Sequence, residues 1–398
     1  MDAATLRRRG YSVRALRDIA WRRLPRMVFD MVDGAAGDEI TMRRNEAALA
    51  EIAFVPKLLA GAPTRDQSVE LFGVKLPSPV IVGPTGLAGL LWPQAEIATA
   101  RAAARFGTIY TTSHASTATI EEIGAASAGV KWMQVFLFKD RGVTAEFAAR
   151  AKTAGYQGLV LTVDNQVTAG RDRDLKNGMT FPLRFTARNA FDLLSRPGWL
   201  WRMRRTPQPT AVNYGARMSI GAFGALMAEQ LDPAVAWRDM EWLRGIWQGP
   251  LLVKGLLHPE EALGAQQRGA DAVIVSNHGG RQLDGAIASI EALPAIGDAV
   301  GDKIPVLIDG GFRRGVDVLK AIALGARAVL LGRPHLWGVA CAGEDGAYWA
   351  LELFRREIDR AMALGGWDSL KAVDRNALSA PTLPFSLPCG EKVARSAG

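Results

Sequence analysis

Apolar residues in this chain recur in eight short runs rich in β-branched side chains, separated by longer stretches of mixed polarity. The runs are Val80–Val82, Thr108–Thr112, Val130–Val135, Gly158–Val163, Leu251–Val253, Ala272–Val275, Val306–Ile308 and Ala328–Leu331. Each has the length and composition of a strand buried on both faces. Between them lie alanine-rich stretches dotted with Glu and Arg, such as Gln94–Phe106, Glu146–Ala154, Pro259–Arg268 and Gly315–Leu324, whose spacing predicts helices. Eight strands alternating with helices predict an α/β fold, a (β/α)8 TIM barrel, and 398 residues suffice for one such domain with additions. The barrel is assigned to 76–365. Residues 1–75 read as an N-terminal helical cover, with Ser12 capping a helix through Asp18 and Leu24-Pro25 opening another near Met27. Between Asp164 and a helix expected near Asp232 lies an insertion, 165–230, far longer than an ordinary strand-to-helix loop. Residues 366–398 read as an irregular tail whose last residues, Lys392 to Gly398, are expected to be mobile.

Polar residues gather at one end of all eight runs, the rim where barrels of this kind carry their chemistry. Pro84, Thr85 and Gly86 follow the first strand, Ser113 and His114 the second, and Gln134 ends the third. Asp164 follows the fourth, Lys254 the fifth, and Ser276 to His278 the sixth. The most informative segment is SNHGGRQLDG, Ser276 to Gly285, because it sets a proton acceptor, His278, three residues before an anion holder, Arg281. That pairing suggests proton abstraction from a substrate bearing a carboxylate; a turn histidine satisfied by its neighbours is the plainer reading of His278 taken alone. After the seventh strand comes DGGFRRG, Asp309 to Gly315, and after the eighth GRP, Gly332 to Pro334. Glycines let backbone N–H groups approach a phosphate, a following helix N-terminus adds positive dipole, and Arg313, Arg314 and Arg333 supply fixed charge.

With these motifs together, the chain resembles the FMN-dependent 2-hydroxy-acid oxidising enzymes, a family that includes glycolate oxidase, L-lactate dehydrogenase and mandelate dehydrogenase. The resemblance runs from LPRMVFD (Leu24 to Asp30) through GRP, and includes GPTGLAG (Gly83 to Gly89), LTVD (Leu161 to Asp164), GRDRDL (Gly170 to Leu175) and LLVKG (Leu251 to Gly255). GPTGLAGLLWP, RDRDL and LLVKGLL look most like the mandelate dehydrogenase branch. The resemblance implies FMN as cofactor and a 2-hydroxy acid as substrate, with His278 as the base and Asp164 stabilising the imidazolium. It implies that Arg171 and Arg281 grip the substrate carboxylate and that Lys254 stands near the N1–C2 edge of the flavin. Ser113, Gln134 and Thr162 are implied to bond the flavin ring, with Pro84, Thr85 and Gly86 along it and Ser276 close by. Asp309 is implied to hold the ribityl chain, and Gly310, Gly311, Arg313, Gly332 and Arg333 the phosphate. A quinone or another electron carrier as acceptor and a homo-oligomer, a tetramer, follow from the same likeness.

Two positions depart from the family pattern. Met31 and Phe136 stand where tyrosines are usual, and a lost hydrogen bond to a charged group typically costs ~1.5–3 kcal/mol. The expectation is a greasier substrate pocket that takes a mandelate-like or other bulky 2-hydroxy acid. Lactate, a soluble oxygen-using oxidase and a non-standard substrate remain open beside it, as does, from another class, a non-catalytic phosphate-binding barrel without flavin.

Charge changes the picture in one place. The net charge of +8 is concentrated in the insertion, where residues 181–217 hold seven arginines and one aspartate, +6 in all. Within it Trp199, Trp201 and several leucines alternate with arginines, the make-up of a segment lying in an anionic membrane interface. An active-site lid or a subunit contact is the other reading. No nucleic-acid motif accompanies the charge. Two cysteines, Cys341 and Cys389, form no metal or redox motif, and the start of the chain lacks the apolar core of a signal peptide. A cytoplasmic protein is expected, peripheral on the inner face of the cell membrane if the insertion docks there. His114, His258 and His335 share no metal-ligand spacing and read as structural or surface residues.

Overall fold

The computed structural model describes residues 1–180, 184, 186–204, 210–214 and 220–379. Eight parallel strands close into a barrel: β3 (Val80–Val82), β4 (Tyr110–Ser113), β5 (Lys131–Val135), β6 (Gly158–Thr162), β7 (Leu251–Leu256), β8 (Ala272–Val275), β9 (Val306–Ile308) and β10 (Ala328–Leu331), the last pairing with β3. They are the eight predicted runs, shifted by a residue or two at β4, β5 and β6. β7 runs three residues beyond its predicted end. The apolar pattern stops at Val253, but the strand continues through Lys254 and Gly255 with a register shift against β8 between Lys254 and Leu256. Gly255 has φ +113°, and a β-carbon there would meet the backbone nitrogen of Asp164 at 2.9 Å, so only glycine lets β7 pass that closely.

Alternation along the strands divides the core. Ile81, Val160, Leu252, Ile274, Leu307 and Leu330 fill the barrel interior, while their neighbours, such as Val82, Leu161 and Val275, pack against the surrounding helices. Leu71 and Leu76 of an antiparallel hairpin, β1 (Val69–Leu71) with β2 (Val74–Leu76), join the interior cluster and plug the barrel's N-terminal end. The cover is therefore not helical throughout: its last part is this hairpin.

Four helices form the rest of the cover: α1 (Ala3–Arg9), α2 (Val13–Arg23), α3 (Arg26–Asp33) and α4 (Ile40–Glu51). Ser12 caps α2, its Oγ accepting from the Ala15 N–H at 3.1 Å, and α2 runs five residues past the expected Asp18. α3 is buried from Met27 to Asp33, since it lies between the barrel mouth and the rest of the cover. Arg17 bonds Asp33 at 2.5 and 2.7 Å, and Arg173 of the insertion reaches Asp30, Asp33 and Glu39 at 2.6, 3.0 and 3.1 Å.

In the insertion, the described residues form helices Asp172–Asn177, Ala187–Leu194, Pro197–Met203 and Ile220–Gln230, and the following helix starts at Trp237, later than Asp232. Phe181, Arg205 and Arg217 lie outside the described residues, as do Cys389 and the tail from 380 on. Up to Leu378 the tail is irregular, with two short 3-10 turns and a bridge back to Phe54.

Candidate active site

The C-terminal ends of the strands surround a cavity of about 320 Å³. Its lining includes Met31, Pro84, Thr85, Gly86, Ser113, Gln134, Phe136, Thr162, Arg171, Lys254, His278, Arg281, Asp309, Gly310, Gly311, Arg313, Gly332 and Arg333, so one space collects nearly every residue singled out from the sequence. Two of them stand just behind it. Asp164 bonds His278, and Ser276, fully buried, accepts from the Lys254 ammonium at 2.8 Å and from the His278 N–H at 3.0 Å. Arg314 is elsewhere: it is half exposed and paired with Glu357 at 2.8 Å.

His278 sits on a left-handed turn with φ +57°, followed by Gly279 and Gly280, also at positive φ. A non-glycine residue there costs roughly 1–2 kcal/mol, a strain that aims the ring across the rim at Asp164. Gly280 is obligatory for a second reason, because a β-carbon would lie 2.5 Å from the backbone nitrogen of Met42 in α4. The loop is pinned by a reciprocal pair that the sequence did not reveal: Asn45 and Asn277 exchange side-chain hydrogen bonds of 2.9 and 2.8 Å.

His278 Nδ1 lies 3.0 Å from Asp164 Oδ1. With its proton on Nδ1 and given to the carboxylate, the imidazole keeps a lone pair on Nε2 and can accept a proton there. Burial works to raise the Asp164 carboxyl, but His278 and Lys254 outweigh it and hold it below the usual carboxylate value. Burial likewise works against the Lys254 ammonium, yet Asp309, 3.0 Å away, and Asp164 raise its pKa above that of an ordinary lysine.

Two of the arginines, Arg171 and Arg281, are poorly compensated. Burial first, then Arg171 and Arg333, push the Arg281 guanidinium well below its ordinary pKa, and burial lowers that of Arg171. Arg171 approaches Asp174 only to 3.7 Å, and its Nε has no partner among the described residues. Two half-buried cations, one with its carboxylate no nearer than 3.7 Å and the other with no ion-pair partner among the described residues, favour an anionic ligand. Arg333 gives three N–H groups to the carbonyls of Val32, Gly279 and Gly34 at 2.9–3.2 Å, which leaves two for a ligand, and Arg313 pairs with Glu46 at 3.1 Å.

The chain was compared with known proteins. The family model for FMN-dependent dehydrogenases matches residues 20–380. The chain belongs to the FMN-dependent dehydrogenases. It is 42% identical over 368 residues to an L-lactate dehydrogenase of Caulobacter vibrioides, covering 91% of this chain and 96% of that one, and 40% identical over the same length to an L-lactate dehydrogenase of Yersinia pestis, with the same shares covered. The crystal structure of a monotopic membrane protein, (S)-mandelate dehydrogenase, superposes with a TM-score of 0.90 at 38% identity, over 93% of this chain and 99% of that one. A soluble mutant of the membrane-associated (S)-mandelate dehydrogenase from Pseudomonas putida gives 0.82 at 38% identity, over 94% and 100%. The protein is thus an FMN-dependent oxidoreductase acting on 2-hydroxy acids, built on an α/β barrel.

As an FMN-dependent dehydrogenase the chain has side chains that suit the cofactor. Gln134 Nε2, Thr162 Oγ1 and Asp309 Oδ1 are buried without hydrogen-bond partners among the described residues, and all three line the cavity. Buried polar atoms are seldom left so, and an amide donor, a hydroxyl and a carboxylate at the ends of β5, β6 and β9 match the polar edges of a flavin and its ribityl hydroxyls. Gly332 caps the N-terminal end of helix Arg333–Gly365, where a phosphate is favoured, and Gly310 and Gly311, in the loop before helix Gly315–Ala323, line the same cavity.

Among the cavity residues that the sequence did not point to, four stand out. His114 was set apart as structural, yet it is part of the lining. Phe223, Met227 and Leu231 form another wall. Their spacing of four residues was visible as a helical stripe in the insertion, but nothing local says that the stripe folds back over the barrel.

Proposed function

We propose that the protein oxidises a bulky L-2-hydroxy acid of mandelate type to the 2-oxo acid and passes the electrons to a quinone while seated on a membrane surface. The observation that carries this reading is the meeting of the His278–Asp164 pair with Arg171 and Arg281 in one cavity that also has a large apolar wall: Met31, Phe136, Phe223, Met227 and Leu231. Arg171 and Arg281 hold the substrate carboxylate, and the apolar wall receives its side chain. His278 Nε2 takes a proton from the α-carbon or the hydroxyl, and Asp164 stabilises the imidazolium that results. Ser113, Gln134, Thr162 and Asp309 hold FMN, with Gly310, Gly311, Gly332, Arg313 and Arg333 at its phosphate. FMN, when bound, supplies the two-electron acceptor. Lys254, kept charged by Asp309, offsets negative charge at the cofactor's edge.

The membrane seat rests on the insertion. Phe191, Leu194 and Trp201 are 76%, 70% and 58% exposed on its two short helices, among arginines. A solved structure similar to this chain is that of a monotopic membrane protein, and among the described residues no helix is long and apolar enough to cross a membrane. Two relatives named L-lactate dehydrogenase keep a lactate reading in view. The deciding experiment is an anaerobic absorbance titration with glycolate, lactate, mandelate and ring-substituted mandelates. Mandelates are expected to bleach the flavin at the lowest concentrations; strongest bleaching by lactate would overturn the proposed substrate class.

A further inference from the structure

His114 sits in an aromatic cluster at the edge of the cavity. It follows Ser113 at the end of β4, lines the cavity, and is buried to 4% exposure. Its ring packs against Phe136 with centroids 4.4 Å apart, and against Phe138, Tyr214 and Phe223 at 5.7, 6.0 and 6.4 Å. Nδ1 is hydrogen-bonded to the Tyr214 hydroxyl, which stands on the insertion. No described residue bonds Nε2. Burial, with His278 adding to it, pushes the ring's pKa down to about 3, so it is neutral wherever the protein is folded near neutral pH.

A neutral imidazole with one nitrogen held has its other nitrogen committed to hydrogen bonding as well. If Tyr214 donates to Nδ1, Nε2 carries the proton and donates; if Nδ1 donates to Tyr214, Nε2 accepts. A hydroxyl group satisfies either arrangement, because it both donates and accepts. A methyl or a bare ring edge satisfies neither, and would cover a polar nitrogen without replacing its hydrogen bond.

We propose that His114, fixed by Tyr214, is the specificity-determining residue of the side-chain pocket, and that Nε2 selects a 2-hydroxy acid whose bulky side chain bears a hydroxyl. This rests on the reading of the site as a 2-hydroxy-acid pocket and names the substrate class more narrowly. Phe136 sets the shape of the wall and His114 its polarity, so the pocket reads a substituent on the side chain and leaves the carboxylate to the arginines.

The test compares mandelate with 4-hydroxymandelate on the FMN-loaded wild type, H114F and Y214F. It uses two measurements: the anaerobic rate of flavin bleaching, and the affinity for the matching 2-oxo acids, phenylglyoxylate and 4-hydroxyphenylglyoxylate, by isothermal titration. H114F keeps an aromatic ring against Phe136; Y214F leaves the imidazole and removes only its holder. The wild type is expected to prefer the hydroxylated member of each pair. In H114F the preference ratio should fall about three- to tenfold, the size of one neutral hydrogen bond, and in Y214F by less. An unchanged ratio in both variants, or equal weakening of hydroxylated and plain ligands, overturns the assignment and leaves His114 a packing residue. Should H114F not fold, Y214F decides by the same ratio. Failure of every 2-hydroxy acid to bleach the wild type would instead refute the reading on which the inference rests.

Discussion

At the scale of single residues, the proposed chemistry hangs on the orientation of one imidazole. Asp164 fixes the tautomer of His278, Ser276 accepts from its backbone N–H, and the glycines after it allow the turn. His278→Asn removes the proton acceptor but keeps a polar side chain of similar reach on the strained turn. It is expected to retain the flavin spectrum while the rate of anaerobic bleaching by substrate falls by at least about 10²–10⁴-fold. Unaltered bleaching in stopped flow would remove His278 from the role of base. The sequence showed this residue because the HGGR spacing is local, and Lys254 and Asp309 because strand ends can be counted. It did not show Asn45, Tyr214 or the place of His114, whose partners lie 232, 100 and 22 residues away in Asn277, His114 and Phe136. Contacts across such separations leave no periodic trace.

At the scale of elements, the site has a lid made by the chain's first part. α3 carries Met31 to the cavity, and Asp33 on the same helix is 3% exposed between Arg17 of α2 and Arg173 of the insertion. Burial works to raise the Asp33 carboxyl, but the two arginines hold it below its ordinary value. Asp33→Ala would leave both cations facing one another across a buried gap. We expect a loss of about 2–3 kcal/mol in stability, discounted from the cost of a fully buried pair because the arginines are partly exposed. Denaturant melts of the holoenzyme should show it, with weaker retention of FMN because α3 closes the cavity; a change below about 0.5 kcal/mol would show that the network is not holding the cover. The sequence marked α2 by its Ser12 cap and α3 by Pro25 at its start, but the hairpin β1–β2 escaped because two three-residue strands fall below any periodic signal.

At the scale of the whole molecule, buried histidines make stability depend on pH. Burial lowers His335 to about 4, although its bond to the Leu331 carbonyl opposes this, and lowers His114 to about 3. Both folded values lie below the unfolded value of roughly 6.5, so the stability they contribute is complete above that pH. It is lost as pH falls, because the unfolded chain takes up protons that the folded chain declines. The loss is about 1.4 kcal/mol per pH unit for each histidine between pH 6.5 and its folded value. Glu96, raised by burial, works in the opposite sense over part of that range. Denaturation midpoints should therefore fall from pH 7 to pH 5, and less steeply in His335→Gln; equal slopes would discount His335. The second expectation at this scale concerns the exposed apolar face of the insertion. Replacing Phe191, Leu194 and Trp201 together by serine should reduce sedimentation with vesicles of anionic lipid at least about tenfold, since each apolar side chain contributes of the order of 1 kcal/mol or more on burial. If the parent protein never sediments with such vesicles, the membrane seat is wrong.

By itself the sequence determined the barrel, because a strand buried on both faces must be apolar over its length and the polar rim must follow it at every turn of the chain. It determined the cofactor as well, and pointed to His278 as the proposed base, since the strongest motifs are held within short stretches of chain. Tertiary structure alone decided which side chains form the wall proposed to receive the substrate's side chain. That wall is assembled from the end of β4, β5 and its following loop, and a helix of the insertion, and its polarity comes from a histidine whose hydrogen-bond partner stands 100 residues further along the chain.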